Sequence, residues 1–235
     1  MNSSSRFWAV VPAAGRASRM GESAVPKQYL RLAGRTVLEW SLAPLLAHAD
    51  CAGVFVALAA GDRHWQELAV SRDARVNAVE GGAQRTDSVR AGLRALQERA
   101  DDRDWVLVHD AARPCLAAEE LARLIAQVRD DDVGGLLAVP LVDTLKRADG
   151  AGRVAQTVSR DALWRALTPQ MFRYGVLDRA LAETMLRGIP VTDEAQAVEL
   201  LGLHPQLVVG SADNIKITLP DDVPRAERIL QSRAL

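Results

Sequence analysis

Apolar positions along this chain fall into two alternating patterns, and their order sets the expected fold. Short runs rich in β-branched and aromatic residues at 6–11, 53–59, 76–79, 105–109 and 135–140 read as strands. The run at 53–59 is apolar on both faces, as in a buried parallel sheet. Between these runs apolar residues recur at helical spacing. Val37, Leu38, Leu42, Leu45 and Leu46 form one stripe within 36–48; Val89, Leu93 and Leu96 form another within 86–99. A third joins Leu121, Leu124, Ile125 and Val128 within 116–129, and a short helix is expected at 63–69. This alternation predicts an α/β fold with a single doubly wound, mostly parallel sheet covered by helices on both faces. Ligands in such sheets sit beyond the carboxyl ends of strands. Here those ends carry unusual small or polar residues, at 12–27, 81–88, 110–114 and 140–144.

The rhythm breaks after Pro140. Residues 144–148 and 153–158, separated by Asp149-Gly150-Ala151-Gly152, read as a β-hairpin, so a protruding arm is expected at about 142–160. A hairpin this short has no core of its own; it either packs on its own domain or reaches a second subunit. Beyond it, 161–167 reads as a short helix ending near 168–170, and 174–187 as a helix stopped by Gly188 and Pro190. Thr192-Asp193-Glu194-Ala195 has the form of a capped helix start. Strands are expected at 206–209 and 215–218, and a last helix at 221–233. No repeat or linker interrupts the chain, so residues 1–235 are expected to form a single domain.

Composition narrows the partners. The chain has 235 residues, enough for one substantial core, with 29 Lys plus Arg against 30 Asp plus Glu. No global field recruits nucleic acid or a membrane surface, so any polyanion site must be a local cluster of cations. Cys51 and Cys115 lack metal-ligand spacing and read as reduced core thiols. No run approaches the ~20 apolar residues of a membrane span. The short apolar run after Arg6 contains Pro12 and meets Arg16 and Arg19 at once, which argues against a secretory leader. A soluble, cytoplasmic protein is the expectation.

The candidate chemistry starts where the first strand ends. Pro12-Ala13-Ala14-Gly15 lets a ligand approach the backbone, and Arg16, Arg19 and Lys27 follow. Exposed N–H groups beside such cations suit phosphate oxygens, although an ordinary βα turn with solvated cations has the same composition. The P-loop pattern is absent, and Ala17 and Ser18 break the dinucleotide fingerprint. No nucleophile elbow or His-Glu-x-x-His occurs. The four histidines are scattered; His109, beside Asp110, reads as a structural hydrogen-bonding residue. No protein-held metal is expected. Arg19, Lys27, Arg113, Lys146, Arg160 and Lys216 each lie in or beside an unusual stretch. Lys216 alternates with Ile215 and Ile217, and inward placement there would need an anionic partner.

As an ordered set these stretches resemble one family. The match runs through Pro12-Ala13-Ala14-Gly15 with Arg19-Met20, Pro26-Lys27-Gln28-Tyr29, and Gly81-Gly82 with Arg85-Thr86-Asp87-Ser88-Val89. It continues through the stretches 109–114, 143–144, 157–160, 164–170, 192–195 and 212–216. Together they cover the chain from end to end, and the set is similar to the cytidylyltransferases that make CDP-methylerythritol in non-mevalonate isoprenoid biosynthesis. The resemblance implies a Rossmann-like nucleotidyltransferase fold and transfer of a cytidylyl group from CTP to 2-C-methyl-D-erythritol 4-phosphate. Pyrophosphate would leave, with Mg²⁺ held mainly by the CTP phosphates. Carried over position by position, Arg19, Lys27 and Lys216 would be catalytic cations on the triphosphate. Pro12, Ala13, Ala14, Gly15, Gly81, Gly82, Ser88, Asp110 and Ala111 would frame the nucleotide. Arg113, Thr144, Arg160, Thr168 and Thr192 would serve the second substrate. The family's arm exchanges between the subunits of a homodimer, with the residue matching Arg160 reaching its neighbour's site.

Two departures from the family pattern stand out. Ala17 replaces a common second glycine of the first loop, and Ala83 a common acidic or polar residue. The rival readings are a cytidylyltransferase for another polyol phosphate such as ribitol 5-phosphate, a sugar-1-phosphate nucleotidyltransferase, and a non-catalytic nucleotide-binding scaffold. Retention of Lys27 and Lys216 argues against the last.

Overall fold

The computed structural model describes residues 6–15 and 25–233. Strand β1 (Phe7–Pro12) is followed, after the first loop, by a 3-10 turn at Lys27–Tyr29. A tight hairpin of β2 (Arg31–Leu32) and β3 (Arg35–Thr36) leads into α1 (Val37–Ala47). Then come β4 (Cys51–Leu58), β5 (Val76–Glu80), α2 (Arg85–Leu96), β6 (Trp105–Val108) and α3 (Ala118–Val128). Strand β7 (Gly134–Pro140) precedes an arm of β8 (Leu145–Ala148) and β9 (Val154–Val158). The chain finishes with β10 (Trp164–Arg173), α4 (Tyr174–Leu186), α5 (Glu194–Glu199), β11 (Gln206–Val209) and α6 (Asp222–Ser232).

Seven strands form one sheet in the order β11-β7-β10-β6-β1-β4-β5, parallel throughout except for β10. Period-two alternation splits the strand residues between two cores. Phe7, Ala9, Val11, Val54, Val56 and Leu107 pack with α1 and α3 on one face. Val10, Phe55, Val106 and Val108 pack with α2, α4 and α5 on the other. Both strand faces are therefore apolar, which is why the strands read as near-continuous hydrophobic runs. The expected doubly wound, mostly parallel sheet is what forms. Because β6 and β4 leave β1 on opposite sides, the chain reverses direction there and opens a crevice at the carboxyl end.

Three expected elements come out differently. Residues 161–167 are not a helix: 161–163 form a turn and 164–167 open β10, which runs antiparallel to both β6 and β7. Leu163, Trp164 and Leu167 have helical spacing, but proline drives its predecessor towards extended backbone and removes a donor. The ladder to β7 skips from Ala166 to Gln170, so Pro169 sits where pairing is interrupted. The Thr168–Pro169 bond is cis. Residues 215–218 form no ladder; Ile217 donates its N–H to the Ala112 carbonyl (2.8 Å) instead. Their alternation nevertheless holds, with Ile215 and Ile217 buried in a small core under α6 and Lys216 facing the opposite way. The helix expected at 63–69 is two 3-10 turns, Trp65–Glu67 and Ala69–Arg72.

Among the described residues the arm forms a separate two-stranded sheet, β8 with β9. Asp149 Oδ1 closes its turn by accepting from the N–H groups of Ala151 (2.9 Å) and Arg153 (2.8 Å). Val154 on the arm and Val142 at its base are exposed. Among the described residues no helix is long and apolar enough to cross a membrane.

Candidate active site

Three strand ends converge on one cavity of about 150 Å³. From β1 come Pro12 to Gly15, from the end of β5 Gly82 and Ala83, and from the end of β6 Asp110 to Ala112. Ser88 and Arg85 of α2 join the lining, with Lys27 and Lys216. The first loop is anchored on both sides: Ala13 donates to the Ala57 carbonyl (2.7 Å), and the buried Gln28 amide donates to the Ala13 carbonyl (2.9 Å). Gly81 lies beneath this floor. A Cβ there would stand 2.7 Å from Ala14 Cβ and 2.8 Å from Ser88 Oγ, so the loop, the strand end and α2 meet too closely for any side chain. Ser88 Oγ accepts from the Gly82 N–H at 3.2 Å.

The charge centre of the site is Asp110, whose side chain is 8 % exposed. Its Oδ1 accepts from Arg85 Nε (2.9 Å), its Oδ2 from the Lys216 ammonium (2.8 Å), and Arg113 Nε lies 3.6 Å from Oδ2. Burial alone would raise its pKa, but the charges of Arg85, Lys216 and Arg113 overcome that and hold it well below the usual carboxylate range. This is the anionic partner that an inward Lys216 requires. Lys27 sits on the same segment, its ammonium donating to the Ile217 carbonyl at 3.1 Å. Among the described residues, Asp110 pairs with Arg85, Arg113 and Lys216, and Glu194 pairs with Arg85.

Beneath Asp110 lies a neutral relay. Its N–H donates to Thr168 Oγ1 (3.0 Å), and Thr168 Oγ1 is 3.0 Å from His109 Nδ1. His109 Nε2 lies 3.2 Å from the Arg113 carbonyl, which can only accept, so Nε2 carries the proton and Nδ1 accepts from the Thr168 hydroxyl. Burial pushes the His109 pKa down to about 4. The imidazole is a structural strut at neutral pH.

Of the residues expected at the site, Pro12, Ala13, Ala14, Gly15, Gly82, Lys27, Ser88, Asp110, Ala111 and Lys216 line the cavity. Gly81 and Arg113 sit directly behind it. Arg19 and Ala17 lie outside the described residues. Thr168 is buried with its hydroxyl engaged by His109 and Asp110, so it meets the site only through the Asp110 backbone. Thr144, Arg160 and Thr192 are exposed and stand apart from the lining; Arg160 donates to the Val142 carbonyl at the base of the arm, and Thr192 to Gln196 (2.7 and 3.1 Å). Sequence reasoning assigned no role to Gln28, Arg85 or Glu194. One signal was present: Arg85 is the first residue of α2, where a cation opposes the helix dipole unless carboxylates meet it.

A crevice at a switch point of a doubly wound sheet, floored by small residues and rimmed by fixed cations, defines the class: an α/β protein built to hold the phosphates of a nucleotide. Comparison with known proteins gives the particular family. Residues 7–232 match the IspD family, 2-C-methyl-D-erythritol 4-phosphate cytidylyltransferase, and the chain belongs to it. A protein of that name from Ectopseudomonas mendocina (strain ymp) is 56 % identical over 221 residues, 94 % of either chain. A crystal structure of a 4-diphosphocytidyl-2C-methyl-D-erythritol synthase superposes with TM-score 0.83 at 39 % identity, covering 96 % of this chain and 98 % of that one. The Francisella tularensis enzyme superposes equally well (TM-score 0.83) at 32 % identity, covering 95 % and 99 %.

Proposed function

We propose that this chain carries out the reaction for which its family is named. It transfers a cytidylyl group from CTP to 2-C-methyl-D-erythritol 4-phosphate, giving CDP-methylerythritol and pyrophosphate. The observation that carries the reading is the convergence of Lys27 and Lys216 on a cavity floored by residues 12–15 and 81–82. A phosphate oxygen of the acceptor attacks the α-phosphorus of CTP, and the bond to the departing pyrophosphate breaks. Charge grows on the α-phosphoryl oxygens and on the leaving group, and fixed cations lower that barrier without covalent catalysis. Lys216 contacts the α-phosphate from its seat on Asp110, while Lys27 and Arg19 hold the β- and γ-phosphates. Pro12 to Gly15, Gly81, Gly82, Ser88 and Ala111 frame the nucleoside with backbone groups.

The lining supplies no metal cage. Among the described residues no group of three or more His, Cys, Asp or Glu could hold an ion, and Asp110, the lining carboxylate, is already engaged by cations. In the proposed reaction Mg²⁺ would enter with the triphosphate, and the protein's own cations would stabilise the developing charge. The arm is the means of assembly: in a homodimer it carries Thr144 and Arg160 to the partner's acceptor site, beside Arg113 and Thr192. The reaction is placed in the cytoplasm, where CTP is available.

A substrate panel followed by pyrophosphate release tests the reading. Rapid release is expected only with CTP plus methylerythritol 4-phosphate; equal rates with ribitol 5-phosphate, or with ATP or GTP, would refute the assignment.

A further inference from the structure

Arg85, on the cavity lining, and Glu194, next to it, stand at the first positions of α2 and α5. Glu194 is 1 % exposed, and both of its oxygens accept from Arg85, Nη1 to Oε1 at 2.6 Å and Nη2 to Oε2 at 2.9 Å. A carboxylate this desolvated persists only when paired. The pairing decides how Arg85 can meet Asp110. A guanidinium with a free Nη edge grips a carboxylate two-on-two and takes both of its oxygens. Here Glu194 occupies the Nη1–Nη2 edge, so Arg85 turns its Nε side to Asp110, and Nε donates to Oδ1. Oδ2 is thereby left for the Lys216 ammonium.

We propose that Arg85 and Glu194 are positioning residues: Glu194 turns the Arg85 guanidinium edge-on to Asp110, and this reserves the Asp110 oxygen that seats Lys216 at the cavity. The proposal rests on the reading of Lys216 as the α-phosphate contact. A second connection supports it. The start of α5 is latched to β10, because Gln170 Nε2 donates to Asp193 Oδ2 (2.9 Å) and Gln170 Oε1 accepts from the Ala195 N–H (2.8 Å). The same strand supplies Thr168 to the Asp110 backbone. Strand β10 therefore anchors two members of the chain Glu194–Arg85–Asp110–Lys216, Glu194 through the start of α5 and Asp110 through its backbone, and charges along that chain alternate in sign. The seat of Lys216 follows the position of α5, the element that begins beside Thr192.

The test is a double-mutant cycle in the full chain, assayed with CTP and methylerythritol 4-phosphate. Glu194→Gln keeps the shape of the side chain and removes the charge that holds the fork. Misplacement of a reacting-site group by about an ångström costs roughly a hundredfold, so kcat should fall between about tenfold and a hundredfold. KM for CTP should change less than about threefold, the mark of an interaction made in the transition state. Combined with Lys216→Ala, Glu194→Gln should lower kcat no further than Lys216→Ala alone, because it acts through that lysine. Multiplying losses, or a Glu194→Gln protein with parental kcat, would overturn the proposal. Arg85→Lys keeps the charge without the fork and is the arm to read if Glu194→Gln does not fold. It should show the same loss and the same lack of additivity, and parental kcat in this variant would likewise overturn the proposal. An active parent with unaffected variants removes only this inference, whereas an inactive parent removes the proposed function as well.

Discussion

Mild acid should destabilise this protein before Asp110 takes up a proton, and His109 is the reason. Its ring is fully buried, with Nδ1 accepting from Thr168 and Nε2–H directed at the Arg113 carbonyl. Neither neighbour can accept a second ring proton without breaking the relay. Burial is the main cause that lowers its pKa from 6.5 to about 4; nearby Asp110 pulls the other way and Arg113 reinforces the fall. The unfolded chain therefore protonates this histidine near its ordinary value, while the folded chain waits until about 4. Across that window the unfolded state binds more protons, so stability falls as the pH falls. Each pH unit is worth at most about 1.4 kcal/mol, and the whole window integrates to about 3 kcal/mol. Against a total of roughly 5–15 kcal/mol for a domain, that is a large share.

Asp110 contributes in a lower window. Its folded pKa is depressed, so its stabilisation is fully present above the ordinary carboxylate value of 3.8 and is lost only as the pH drops below it. The two effects can be separated by urea unfolding at a series of pH values from about 7 down to about 4.5, reading the free energy at constant m-value. The parent should lose stability progressively through that range. His109→Gln should start from a lower plateau, since two buried hydrogen bonds are disturbed, but its profile should lack the slope that His109 supplies. An equal slope in parent and variant, or a flat parent profile, would refute the reasoning about the buried ring.

Other expectations follow from the same geometry. Lys27→Ala and Lys216→Ala should each lower kcat by about 10²–10³-fold, the usual loss for one preorganised electrostatic contact; either variant with near-parental kcat loses its assigned role. Gly81→Ala would place a methyl within 2.7 Å of Ala14 Cβ and 2.8 Å of Ser88 Oγ, so the first loop must shift and KM for CTP should rise at least about tenfold, a change of about 1.4 kcal/mol. Unchanged KM would mean that the loop does not frame the nucleotide. Sedimentation should find a dimer whose dissociation abolishes activity; a fully active monomer would exclude a site shared through Arg160.

What could be read in the sequence was local in character. The strands around β1 announce themselves because both faces are apolar, and α3 because Leu121, Leu124, Ile125 and Val128 repeat at helical spacing. The small residues at 12–15 and 81–82 are visible for a related reason: a backbone that must be approached closely discards side chains there. Strand β10 was obscured by Pro169, which reads as a helix stop when pairing partners are unknown. Only the fold places that proline at a break in the ladder, between two strands distant in sequence.

The polar interior of the site was illegible for a different reason. Lys216 could be seen to need an anion, because it alternates with two buried isoleucines, but nothing local says which anion. Asp110 is 106 positions away, and the side chains that fix it, Arg85 and Glu194, are themselves 109 apart. Hydrophobic periodicity carries no information about such pairs, since each member satisfies its own helix or loop in isolation. Glu194 even resembles an ordinary acidic first-turn residue that complements a helix dipole. Arg85 is the exception: an arginine opening a helix is electrostatically misplaced unless carboxylates surround it. Here Glu194 and Asp110 do surround it, and Arg85 and Asp110 both line the cavity. A residue that breaks a local rule at a strand end that already carries small residues is thus the most informative polar position in the sequence. Its violation is resolved only by the contacts that build the site.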